Sequence, residues 1–199
     1  MDVNNQGTAV PMEPVADPAG WYAEDIERTG DGTFTWDAGE VADIEAAMAA
    51  FEESDRDLVT LNKEDFPLGR AAAKMKDIRN EVTGGVGFAL IHGLTMDTYS
   101  RRQAAIIFLG LGQHIGQARS QNYHGHILGH VKDLGFDQAT DPLARAYHCR
   151  NELNYHSDSC NVVALFCLHH AMKGGVSRVT SGITVYNEML KRRPELTAA

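Results

Sequence analysis

Residues 151–168 read NELNYHSDSCNVVALFCL. The last eight, 161–168, are β-branched and aromatic enough to predict a central strand. Just ahead of them stands Tyr155-His156-Ser157-Asp158. On an extended chain, side chains two apart share a face, so a strand here would project His156 and Asp158 together. An imidazole and a carboxylate so placed supply two corners of a metal site. The 2-His-1-carboxylate set, which leaves positions open for other ligands, is the arrangement non-haem Fe(II) chemistry requires. Taken alone, His-x-Asp arises often by chance, and a surface pair or a hydrogen-bonded core histidine is the simpler explanation of it.

Working outward from this stretch, the pattern alternates between helical and extended periods. Val41, Ile44, Met48 and Phe51 recur at helical spacing and predict an amphipathic helix over 40–53. Pro67 suits a first helical turn, and Leu68, Ala72, Met75, Ile78 and Val82 continue one face until Gly84-Gly85. The glycine-bounded run 87–94 (GFALIHGL) reads as a buried strand. From 97 to 114 the period is helical again, with Ser100 and Gln103 spaced as a capping box. Downstream, Gly174-Gly175 marks a turn, 177–181 a short strand, and 183–192 a helix that stops before Pro194. Helices lead and strands follow, which predicts an α+β fold with helices on one side of a sheet.

The bulk numbers narrow the class. A chain of 199 residues suits one domain, and its first twenty residues, rich in Pro, Gly and polar side chains, read as a flexible tail before a domain over 21–199. The net charge is -9, from 18 basic and 27 acidic residues, and Lys191-Arg192-Arg193 is too short for a nucleic-acid footprint. The tail lacks the basic start and apolar run of a secretory signal, and no window approaches the ~18 apolar residues of a membrane span. Cys149, Cys160 and Cys167 are an odd count without finger spacing, which reads as reduced thiols in a cytoplasmic protein.

An ordered series of short motifs then ties these elements together. Asp65-Phe66-Pro67-Leu68 is followed by Gly85-Val86-Gly87-Phe88-Ala89-Leu90 with Gly93-Leu94, then Tyr99-Ser100 and Gly112 with Gly116. Next come Gln121-Asn122, Val131-Lys132-Asp133, the Tyr155–Asp158 tetrad, Gly174-Gly175-Val176-Ser177 and Asn187-Glu188. In that order, over about residues 20 to 196, the chain resembles the TauD/TfdA family of Fe(II)/2-oxoglutarate-dependent dioxygenases. The resemblance implies a double-stranded β-helix, or jelly roll, of which this chain would hold only part, with flanking N-terminal helices. It implies Fe(II) as metal, 2-oxoglutarate as cosubstrate, O2, and a small organic acid or amino-acid-like substrate. By the same resemblance His156 and Asp158 are the first two iron ligands, Ser177 bonds a 2-oxoglutarate carboxylate, and Asn122 lies on the substrate side. A strand-capping serine and an ordinary turn asparagine are the plainer readings of the last two.

Other groups compete for attention. His124, His126 and His130 cluster, His169-His170 closes the apolar run, and His148-Cys149 precedes the tetrad; surface or core roles explain them more simply than a second metal site. Cys160 would share a face with Asp158, where core filling outweighs an oxidisable thiol beside iron. A zinc hydrolase at His156 and Asp158 needs a third protein ligand that is not evident.

The family pattern also calls for a later iron histidine and an arginine that grips 2-oxoglutarate through paired, charge-assisted bonds. No histidine follows Ser177 here. The expectation is therefore a dioxygenase cut short and inactive as it stands. A natural binding or regulatory remnant, and a site completed by another chain, are the alternatives; a homo-oligomer is the other partner expectation.

Overall fold

The computed structural model describes residues 12–122, 124–136, 140, 148–149 and 152–197. In chain order these form α1 (Ala23–Thr29), β1 (Thr33–Thr35), α2 (Ala38–Glu53), short 3-10 turns at Leu58–Thr60 and Lys63–Asp65, and α3 (Ala71–Gly84). Then follow β2 (Leu90–His92), a turn at Met96–Thr98, α4 (Arg101–Gln113), α5 (Gly182–Arg192) and a last turn at Pro194–Leu196.

Local chemistry starts the helices where it is written in the chain. At α2 the Asp37 carboxylate accepts the N–H groups of Gly39 (2.8 Å) and Glu40 (2.9 Å), and Glu40 in return accepts the Asp37 N–H (2.9 Å). This reciprocal cap satisfies donors that a helix start leaves orphaned. The bonds to Glu40 and Gly39 hold the Asp37 carboxyl below its ordinary range. At α4 the expected capping box is formed: Ser100 Oγ accepts the Gln103 N–H (3.2 Å) and Gln103 Oε1 accepts the Ser100 N–H (2.9 Å).

Packing then joins α2, α3 and α4 around one core. Ile44, Ala47, Met48 and Phe51 of α2 meet Ala71, Met75 and Ile78 of α3 and Ile106, Ile107 and Leu111 of α4, with Trp36, Leu61, Phe66 and Leu68 closing the ends. Val41 packs on its margin, so the stripe expected for this helix is the one observed. Phe66 sits against Gly110, where a Cβ would come within 2.4 Å of the ring. Polar ties reinforce the same layer. Tyr99 donates to Glu45 (2.7 Å), Gln103 to Glu52 (2.9 Å) and His114 to the Phe66 carbonyl (2.8 Å). Lys74 bridges Glu40 and the Thr35 carbonyl, with its ammonium over the Trp36 ring.

Several expectations are corrected here. The third helix starts at Ala71 rather than at Pro67, because Gly69 turns the backbone at φ +51° just ahead of it. The buried stripe accordingly runs through Ala71, not the exposed Ala72. The run 87–94 keeps only three strand residues. β2 pairs in parallel with β1, Phe34 opposite Ile91, and its side chains are exposed rather than buried. Residues 1–11 of the expected tail lie outside the described residues, whereas 12–20 run along α5 in a defined course.

The largest difference concerns 161–168 and 177–181, neither of which forms a strand. Among the described residues the sheet is the β1–β2 pair alone. A strand exists only through its ladder, and β propensity without a neighbouring strand has nothing to pair with. Half-burial is confined to Val162, Phe166 and Leu168 in this run, while Ala164 is exposed and Leu165 is 71% exposed. The helical layer is touched through Phe166, whose ring stacks on Phe108 with centroids 5.3 Å apart.

Candidate metal-ligating segment

Residues 152–160 run as exposed, irregular chain between the helical layer and the 161–168 stretch. His156 and Asp158 thus face solvent and have no strand beneath them, which corrects the inward-facing pair expected from alternation. The reason is again the missing ladder. Alternation orients side chains relative to a sheet, and no sheet forms here.

One local feature does favour coordination. His156 Nδ1 lies 2.7 Å from the Asn154 carbonyl oxygen. A carbonyl can only accept, so Nδ1 carries the proton and Nε2 keeps its lone pair outward. A histidine backed by a carbonyl in this way is the usual form of a metal-ligating imidazole. The sequence motif did not reveal Asn154 as the backing group, because the acceptor is its main-chain carbonyl, which any residue at that position would present.

The remaining candidates are scattered. Ser177 is exposed, in irregular chain beyond the Gly174-Gly175 turn, where both glycines take positive φ. Asn122 spends its side chain on its own turn: Oδ1 accepts the N–H groups of His124 (3.0 Å) and His126 (3.3 Å), and Nδ2 meets His126 Nδ1 (3.0 Å). That is the bonding of a turn asparagine. Asn122, His156, Asp158 and Ser177 share no hydrogen bond or ion pair with one another among the described residues. His124 and His126 stand with rings 5.7 Å apart, and no group of three potential metal ligands occurs among the described residues. Cys160 and Cys167 are exposed thiols, so core filling does not describe Cys160.

The geometry therefore supplies two donors with the right chemistry and no finished site, and kinship is carried by the sequence. The family model for "Taurine catabolism dioxygenase TauD, TfdA family" matches residues 54–198, well over half of the chain. The chain belongs to the TauD/TfdA family. Within it, the FR-33289 synthase of Streptomyces rubellomurinus is 28% identical over 184 residues, covering 92% of this chain and 54% of that protein. The taurine hydroxylase-like protein SAT17 of Stachybotrys chartarum is 26% identical over 186 residues, covering 90% of this chain and 48% of that protein. The chain thus spans about half the length of these TauD/TfdA relatives. The matched region includes Phe66, α3 and α4, the Tyr155–Asp158 tetrad and Ser177, and begins just after α2. No helix of the described residues is long and apolar enough to cross a membrane.

Proposed function

We propose that the chain carries part of an Fe(II)- and 2-oxoglutarate-dependent dioxygenase, with His156 and Asp158 as two of its iron ligands. The observation that carries this reading is the family match across the tetrad, supported by the His156 proton being committed to Asn154. In this reading Nε2 of His156 and the Asp158 carboxylate hold the metal, and the Ser177 hydroxyl bonds a carboxylate oxygen of 2-oxoglutarate. Asn122 lies toward a small organic acid or amino-acid-like substrate. Iron and 2-oxoglutarate together supply oxidation of a C–H bond by O2, with 2-oxoglutarate converted to succinate and carbon dioxide. The fold class proposed is the jelly roll of the family, with residues 161–168 and 177–181 taking up ladders once strands are offered to them.

Two donors hold Fe(II) with less fixed geometry than three, so the chain by itself is proposed not to turn over 2-oxoglutarate. A third ligand would come from outside the described residues or from another chain. A second reading, a binding or regulatory protein without catalysis, is favoured by the exposure of all four candidate residues or their commitment to local turns.

Anaerobic titration of Fe(II) into the chain and into His156→Ala tests the ligand assignment. Loss of a ligating histidine should weaken binding at least ~10-fold. Equal affinity in the two proteins would remove His156 from the metal site. Succinate formation by the chain alone would overturn the claim of inactivity.

A further inference from the structure

We propose that residues 12–22 form an N-terminal strap that α5 binds as it would an extended peptide, and that this clasp holds α5 in place. The case rests on how the strap is read. Asn187 Oδ1 accepts the Val15 N–H (2.8 Å) while Asn187 Nδ2 donates to the Val15 carbonyl (2.8 Å). One side-chain amide thereby satisfies both backbone groups of one residue, as a neighbouring strand would in an augmented sheet. Three more α5-side hydroxyls donate to strap carbonyls: Tyr186 to Glu13 (3.3 Å), Ser181 to Ala19, and Thr184 to Trp21 (2.8 Å). Tyr22 closes the row by donating to Glu188 (2.8 Å).

The far side of the strap is fixed to the helical body. Trp21 Nε1 donates to the Val86 carbonyl (2.8 Å), and the Trp21 ring meets Phe88 edge-on at 5.4 Å. Pro14 and Pro18 restrict the strap before it docks, which lowers the ordering cost of binding.

α5 depends on this contact for a physical reason. It is 11 residues long and has no buried residue. Isolated helices shorter than ~12–15 residues are marginal in water, so a helix without core burial needs another source of order. The strap supplies it, and through Ser181 it also fixes the chain four positions beyond Ser177. Nothing in this depends on iron being bound.

Hydrogen exchange read by mass spectrometry tests the clasp in four forms of the full chain: unaltered, Asn187→Ala, lacking residues 1–16, and with both changes. Losing two hydrogen bonds to a marginal helix in Asn187→Ala, and three in the deletion, should speed exchange over 182–192 by about tenfold or more in each single variant. The double variant should exchange no faster than the deletion alone, because both changes remove one interaction. Amides of α2 and α4 should be unchanged. A peptide of residues 11–16 added to the deletion variant should restore protection of α5. Unaltered α5 protection in both single variants would overturn the proposal, as would additive effects in the double. Loss of α2 and α4 protection in both single variants would also overturn it, by making the strap part of the global fold.

Discussion

Two apolar stretches of this chain meet opposite fates. Between Trp36 and Leu111 the regularly spaced apolar residues of α2, α3 and α4 are buried in a shared core. Between 152 and 180 no described residue is buried, although 161–168 is as apolar as any helix stripe. The difference lies in what each needs to complete its backbone. A helix satisfies its own ladder and brings a finished face to its neighbours, so α2, α3 and α4 need only meet. A strand must find its hydrogen-bond partner elsewhere in sequence. Hydrophobicity becomes a core only where a partner surface arrives.

The contrast has measurable edges. Phe66 is 0% exposed and central to the helical layer, so Phe66→Ala should cost about 3–5 kcal/mol in urea denaturation. By the same measurement Leu165→Ala should fall within about 0.5 kcal/mol of the parent, as exposed positions do. A large loss at Leu165 would mean that the second stretch is packed in solution. Gly110→Ala should be next in size. Its Cβ would sit 2.4 Å from the Phe66 ring, and overpacking of this kind costs about 1–3 kcal/mol. A neutral result would show that the α4 contact can relax.

The smallest effect is one of pH. Burial, and then the bond to Glu45, push the Tyr99 hydroxyl up to about 12. The folded state therefore keeps this proton after the unfolded chain, at about 10, has begun to lose it. The stabilisation is complete below pH ~10 and disappears as pH rises through ~12. Tyr99→Phe should cost about 1 kcal/mol near neutrality and flatten that alkaline decline in urea midpoints. An unchanged slope would separate Tyr99 from the stability of the α2–α4 contact.

What could be read from the residues follows the same division. The stripe Val41-Ile44-Met48-Phe51 and the Ser100/Gln103 cap are legible because each is decided within a turn or two of chain. The start of the third helix is not legible in the residues, because Pro67 suits a first turn equally well and the deciding feature is the backbone turn at Gly69. β1 went unread because three residues carry no period, and their pairing with Leu90–His92 spans 57 positions. The tetrad at 155–158 was legible as family, but its strand setting was not, since that setting depends on partners that alternation cannot supply. Asn187 stood in the motif series without a role. Its partner, Val15, is 172 residues away in a stretch whose composition reads as tail.

That span has a temporal consequence. On the ribosome, Asn187 emerges 172 residues after Val15. At roughly 5–20 residues per second this is a wait of about ten to thirty seconds. The α2–α4 body is fully synthesised well inside that interval, so the strap must stay available to a helix that does not yet exist. Pro14 and Pro18 bar the strap from taking up a competing helix during that wait.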